Sequence, residues 1–302
     1  MEFWSIGTKT RIAWAFMVIL MCVWGIPAHC ATFKDALGRE ISVPAPPRRL
    51  IALAPNLTEI LYALGLGDRV VGVTNHCNYP PEASLKPKVG SYIHLNVEQI
   101  ISLSPDLVLG TMDGNERYVL DLLEQANIKV FFVNPRDVRQ AIETISTVGV
   151  VCGLPEKARQ ISGQLTLRLN RVLETTRTVK RPLVFLQINI QPIMTVNRNS
   201  VHHDIIHLAG GDNMTADEPV TYPRISLEEV IRRKPEVILI SSMERKGKFE
   251  KARQDWLQWN FIPAVQEGRV HLIDSDLIDR PSPRVVEGLE IMAKLLHPEA
   301  VR

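Results

Sequence analysis

The stretch Asn96–Leu109, NVEQIISLSPDLVL, returns 130 residues later as Ser226–Leu239, SLEEVIRRKPEVIL. The register holds without insertion, which marks a duplicated unit. Each copy opens on a residue whose short side chain accepts hydrogen bonds, Asn96 or Ser226, and carries Gln99 or Glu229 three positions later. That pattern is a capping box, in which the fourth residue returns a bond to the N–H of the first. The proline, Pro105 or Pro235, ends the helix, and the apolar run after it is a strand. Reciprocal capping uses the first and fourth residues, so Glu98 and Glu228 remain on the first turn with side chains directed outward. A carboxylate there complements the helix dipole by about 0.3 to 1 kcal/mol. Its recurrence in both halves makes a two-point docking surface for cationic sockets on a partner.

Working outward from the repeat, short apolar runs alternate with helical stretches. Leu50–Ala54, Val70–Val73, Leu107–Leu109 and Val130–Val133 read as strands in the first half, with helices over Thr58–Leu64, Val97–Leu103 and Arg117–Ala126. Leu183–Gln187, Val237–Ile240 and Val270–Ile273 read as strands in the second. Such alternation implies α/β architecture with mainly parallel sheets. Between the halves, Pro155–Val179 carries Ala158, Ile161, Leu165, Leu169 and Val172 at helical spacing, behind a proline suited to the first turn. We expect a strut joining two lobes, with residues 31–154 in the first, 155–179 in the linking helix and 180–302 in the second.

The 302 residues are 45% hydrophobic and 23% charged, with a formal net charge of +2. Without a basic excess there is no footprint for a phosphate backbone, and nucleic acid is excluded as a partner. At the N-terminus Lys9 and Arg11 precede Ile12–Ile26, fifteen residues free of charge. The run is too short to span a bilayer, which takes about 20 apolar residues, and fits a signal peptide over residues 1–30. Cleavage after Cys30, or after Ala31, leaves a periplasmic chain of about 270 residues. Lipid anchoring at Cys30 is the less favoured alternative, because His29 and not a small residue precedes it. Cys77 and Cys152 are expected to stay separate thiols.

No G-x-x-x-x-G-K-[ST], G-x-S-x-G or H-E-x-x-H occurs, and no G-x-G-x-x-G follows the first strand. An enzyme is therefore not expected. Adjacent residues on a helix do not share a face, so His202-His203-Asp204 is a weak metal signal and is read as solvent-exposed or capping.

The entry Asp35-Ala36-Leu37-Gly38-Arg39 through Val43-Pro44 and Pro47, followed by Arg49–Pro55, resembles the substrate-binding proteins of ABC transporters whose two α/β lobes are joined by one long helix. That family includes cobalamin, haem and ferric-siderophore binders. Asn56-Leu57-Thr58-Glu59, Val70–Val73, Tyr79-Pro80-Pro81 and Arg280-Pro281-Ser282-Pro283-Arg284 are most similar to its cobalamin-binding members. The resemblance implies a ligand pocket between the lobes onto which Pro55, His76, Tyr92, Tyr222, Asp276 and Arg280 fall. It also implies that Glu98 and Glu228 face arginines of the membrane permease, which works with its ATPase subunits. The expected ligand is a corrinoid carried as cargo, with no resident cofactor. Haem or a ferric siderophore is the alternative, and a ligand-sensing or membrane-anchored interaction module is the alternative of another class. His76 stands where the cobalamin binders have an aromatic residue, and Tyr92 where they have tryptophan. Tyrosine keeps the π face needed to stack on a macrocycle. No metal site is expected; His76, adjacent to Cys77 and with His94 near the same cleft by sequence position, is the candidate for a metal contact. The free chain is expected to be a monomer.

Overall fold

The computed structural model describes residues 30–44, 46–112, 114–115, 117–241 and 248–300. Of the leader expected over residues 1–30, residues 1–29 lie outside them. The described residues begin with an antiparallel hairpin, β1 (Cys30–Lys34) and β2 (Glu40–Pro44). The first lobe follows: β3 (Leu50–Ala52), α1 (Pro55–Ala63), β4 (Val70–Val73), α2 (Val97–Ser102), β5 (Leu107–Thr111), α3 (Arg117–Gln125), β6 (Val130–Val133) and α4 (Val138–Val151). The linking helix is α5 (Pro155–Thr176). The second lobe contains β7 (Leu183–Gln187), α6 (Val201–Leu208), β8 (Asp212–Asn213), α7 (Leu227–Arg233), β9 (Val237–Ile240), α8 (Lys248–Leu257), α9 (Pro263–Gln266), β10 (Val270–Leu272), α10 (Ser275–Ile278) and α11 (Val285–Leu296).

Both sheets are parallel and four-stranded, ordered β4-β3-β5-β6 and β8-β7-β9-β10. Strand for strand the two orders correspond, so the repeat read at an offset of 130 extends to the topology of the lobes. It reaches the backbone as well: Ser104 and Lys234, the equivalent residues before the prolines, both adopt positive φ, 45° and 51°. A carboxylate in each copy then ties the strand to its neighbour. Asp106 accepts from the N–H groups of Arg48 and Arg49 at 2.7 and 2.9 Å, and Glu236 accepts from that of Leu183 at 2.8 Å.

The capping box forms only in its forward half. Asn96 Oδ1 accepts from the Gln99 N–H at 2.9 Å, and Ser226 Oγ from the Glu229 N–H at 3.2 Å. The return bonds expected from Gln99 and Glu229 give way to better partners. The Asn96 N–H donates to the Val89 carbonyl at 2.9 Å, and Glu229 takes the guanidinium groups of Arg232 and Arg233. Those hydrogen bonds hold the Glu229 carboxyl down at about 2.

Helix α5 runs 22 residues, about 33 Å at 1.5 Å per residue. Ala158, Leu165, Leu169 and Val172 are buried along it, and Ile161 is partly so. Arg168 on α5 forms a bidentate pair with Glu290 on α11, at 2.8 and 2.6 Å. One apolar core runs from Leu50 and Leu57 of the first lobe through Leu165 and Leu169 to Val184 and Leu289 of the second. Each sheet also covers a smaller core on its other face, with Ile51, Val108 and Phe132 in one lobe and Phe185, Ile238 and Ile240 in the other. Strands buried on both faces are continuous apolar runs, which is why they are legible as such. Cys77 and Cys152 are free and buried, and burial pushes the Cys152 thiol up to about 12.

Candidate functional site

In parallel α/β sheets the loops after the carboxyl ends of the strands form the crevice where ligands bind. Pro55 is the first residue of α1, directly after β3, and is half-buried. His76 follows β4 and is exposed. Tyr92 lies in a loop shaped by two glycines. Gly90 has φ +104°, and a Cβ there would run into the backbone of His94 and Asn96. Gly114, at φ +103°, lies so close under the Tyr92 ring that a Cβ would overlap it. Asn115 fastens the same loop by donating to the Tyr92 carbonyl at 3.0 Å. From the second lobe come Tyr222, exposed, Asp276 on α10, buried, and Arg280 just beyond it.

Three of these six residues are drawn into a hydrogen-bond network that crosses between the lobes. Arg280 pairs with Asp276 at 2.7 Å, but each side chain is only 12% exposed, so this is not a surface pair. The same guanidinium donates to Glu59 at 2.9 Å, to Asn78 Oδ1 at 2.8 Å and to the His76 carbonyl at 3.3 Å. Asn78 in turn donates to Asp276 at 3.2 Å. At the centre is Glu59 of α1, buried, which also accepts from Arg284 at 2.7 and 3.0 Å and from the Ser282 hydroxyl at 2.6 Å. Arg284 lies 3.9 Å over the Tyr79 ring, a cation–π contact. Burial works against the Arg284 charge, yet hydrogen bonding and attraction to Glu59 leave its pKa raised. Glu59, Ser282 and Arg284 sit inside the resembling motifs, but the sequence alone gives them no role. The partners are 221 to 225 residues apart, and nothing in one sequence pairs them.

A second tie lies at the start of α6. Asp204 accepts from the N–H of Val138, at the head of α4 in the other lobe, at 2.8 Å. His202 is buried, with Nε2 2.9 Å from Asp279, so the solvent-exposed reading fails for it: α6 turns this face inward. Beside the tie is an interlobe cavity of about 570 Å³, lined by Arg136 and Asp137 from one lobe and by residues 198–200, 203, 204 and 221 from the other. None of the six expected pocket residues lines it, although Thr221 is adjacent to Tyr222.

Glu98 and Glu228 are both exposed, on the first turns of α2 and α7. Hydrogen bonds from its own N–H and from Ser226 hold the Glu228 carboxyl below the usual range. Among the described residues no three His, Cys, Asp or Glu side chains gather as metal ligands, and no helix is long and apolar enough to cross a membrane.

The family model described as periplasmic binding protein matches residues 50–277. The vitamin B12-binding protein of Yersinia pseudotuberculosis (strain IP 31758) is 31% identical over 272 residues, covering 90% of this chain and 89% of the relative. That of Vibrio parahaemolyticus is 32% identical over 247 residues, covering 81% and 87%. Among solved structures, the periplasmic vitamin B12-binding protein of Vibrio cholerae superposes with a TM-score of 0.76 at 28% identity, covering 84% of this chain and 98% of that one. The periplasmic heme-binding protein of Roseiflexus sp. RS-1 shares the fold, with a TM-score of 0.75 at 24% identity and coverage of 84% and 99%. The duplicated sheets, the joining helix and the interlobe crevice are thus those of a substrate-binding protein, and the chain belongs to the periplasmic binding protein family.

Proposed function

We propose that this protein captures a corrinoid in the crevice between its lobes and delivers it to an ABC importer in the inner membrane, making and breaking no bond. The observation that carries this reading is that each lobe has a tyrosine in a loop following a strand of its sheet, Tyr92 between β4 and α2 and Tyr222 between β8 and α7. A flat macrocycle edged by amides calls for aromatic faces and a few hydrogen-bonding groups, which these tyrosines and the Asp276–Arg280 pair supply. The naming of the relatives as vitamin B12-binding proteins supports the same ligand. Pro55 and His76 complete the proposed lining. The exported chain would act in the periplasm as a monomer, with residues 31–154 and 180–302 as lobes. Glu98 and Glu228 would dock it on the permease, whose ATPase subunits drive release.

The continuous core and the cross-lobe ties support limited lobe closure on loading, in contrast to a wide hinge swing. Equilibrium dialysis of the leaderless chain against cobalamin, cobinamide and haem tests the reading. Retention of the two corrinoids at one per chain is expected, and retention of haem alone would overturn it. A haem or ferric-siderophore carrier is the second reading, favoured by the exposed imidazole of His76 beside the crevice.

A further inference from the structure

We infer that the interlobe cavity formed by Arg136, Asp137, Arg198, His203, Asp204 and Thr221 is a subsite for neutral carboxamide groups on the periphery of the cargo. This deepens the corrinoid reading and rests on it. The cavity is lined by two arginines and two aspartates, so its formal charge is balanced. Both carboxylates have accepting capacity left. Asp204 gives Oδ2 to the Val138 N–H at 2.8 Å, and Asp137 gives Oδ1 to the Gln140 N–H at 2.7 Å.

His203 supplies the complementary donor, and its tautomer follows from its neighbours. Asn213 Oδ1 accepts from the Thr215 N–H at 3.1 Å, which fixes the amide with Nδ2 toward the Val196 carbonyl at 3.0 Å and His203 Nδ1 at 3.3 Å. Nδ1 is therefore the acceptor and the proton sits on Nε2. Burial first, then the neighbouring His207, Arg198 and Arg181, lower the pKa, which favours the neutral ring. Arg198 is held by its pair with Asp217 and by donation to the Ala216 carbonyl at 3.1 Å.

A primary carboxamide matches this lining in both senses. Its NH2 donates to a carboxylate oxygen, and its carbonyl accepts from the imidazole N–H. A carboxylate in the same place accepts only: it can meet the arginines and the imidazole N–H, but it leaves Asp137 and Asp204 without a donor and facing a like charge. A site built for one hydrogen-bonding pattern rejects the group that leaves its polar atoms unpaired.

The test is isothermal titration of the leaderless chain with a corrinoid carrying intact peripheral amides and with the same corrinoid hydrolysed to carboxylates. The wild-type chain is expected to prefer the amide form. Asp204→Asn, which can still accept from Val138, is expected to narrow that preference by about tenfold. His203→Leu is expected to weaken amide-form binding by about tenfold, and His203→Gln, which restores a donor, to recover it. An unchanged preference in Asp204→Asn together with unchanged affinity in His203→Leu would overturn the subsite and leave the corrinoid reading standing. Failure of the wild-type chain to bind either corrinoid would overturn that reading, and the subsite with it.

Discussion

Glu59 and Arg284, 225 residues apart, meet at 2.7 Å between the lobes, with the carboxylate side chain 2% exposed and the guanidinium 16%. Removing the acid would strip buried Arg284 of its carboxylate partner and leave Arg280 held by Asp276. Glu59→Ala is therefore expected to cost about 3 to 5 kcal/mol in denaturant unfolding. Arg159→Ala, at an exposed pair with Glu156 whose side chains are 72% and 80% exposed, should cost less than about 1 kcal/mol. Equal losses at the two sites would refute the distinction.

Charge reversal of Glu98 and Glu228 separates docking from capture. Both are exposed on first turns of equivalent helices, one per lobe. The double variant Glu98→Arg with Glu228→Arg is expected to abolish uptake in transport-competent cells while ligand affinity stays within about twofold of wild type. Unchanged uptake would remove the docking claim.

Three histidines contribute to the acid side of the stability profile. His203, His271 and His297 all have pKa values lowered from 6.5, with burial the largest cause and neighbouring arginines contributing. The folded chain thus binds these protons less readily than the unfolded one. Their contribution is complete above 6.5 and is lost as pH falls through the lowered values. The melting temperature should fall as pH drops below 6.5, and His271→Gln should flatten the slope. A flat wild-type profile would contradict this.

Asp204 works in the opposite sense. Burial raises its pKa, so the folded chain holds this proton more tightly than the unfolded one and the ionised form carries a penalty at neutral pH. Asp204→Asn should therefore raise the melting temperature near pH 7, with the gain shrinking as pH falls through the raised value. A destabilised variant at neutral pH would count against it.

Tyr92 tests the stacking face. Tyr92→Ala should weaken corrinoid binding by about 1 to 3 kcal/mol, and Tyr92→Trp should retain it, because only the aromatic face is at stake. Equal affinities in dialysis would exclude Tyr92 from the site.

The architecture is legible because it is written in local patterns. The repeat at 130 residues shows helix, turn and strand twice, and the strut follows from apolar spacing on α5. What stays hidden depends on the fold. β8 is only Asp212–Asn213, a pair of polar residues that no periodicity detects, and the β1–β2 hairpin precedes the alternating units. The return half of the capping box is lost to tertiary competitors, the Val89 carbonyl for Asn96 and two arginines for Glu229. At the crevice, Tyr92, Tyr222, Asp276 and Arg280 come from motif resemblance, whereas Glu59 and Asp204 acquire partners only when the lobes come together.

The central claim is that a corrinoid lies between the two lobes, and a crystal structure of the cobalamin-loaded chain tests it most directly. The macrocycle should lie in the crevice with Tyr92 and Tyr222 against it and the Glu59–Arg284 pair intact. Cobalamin bound outside the crevice, or contacting one lobe alone, would contradict it.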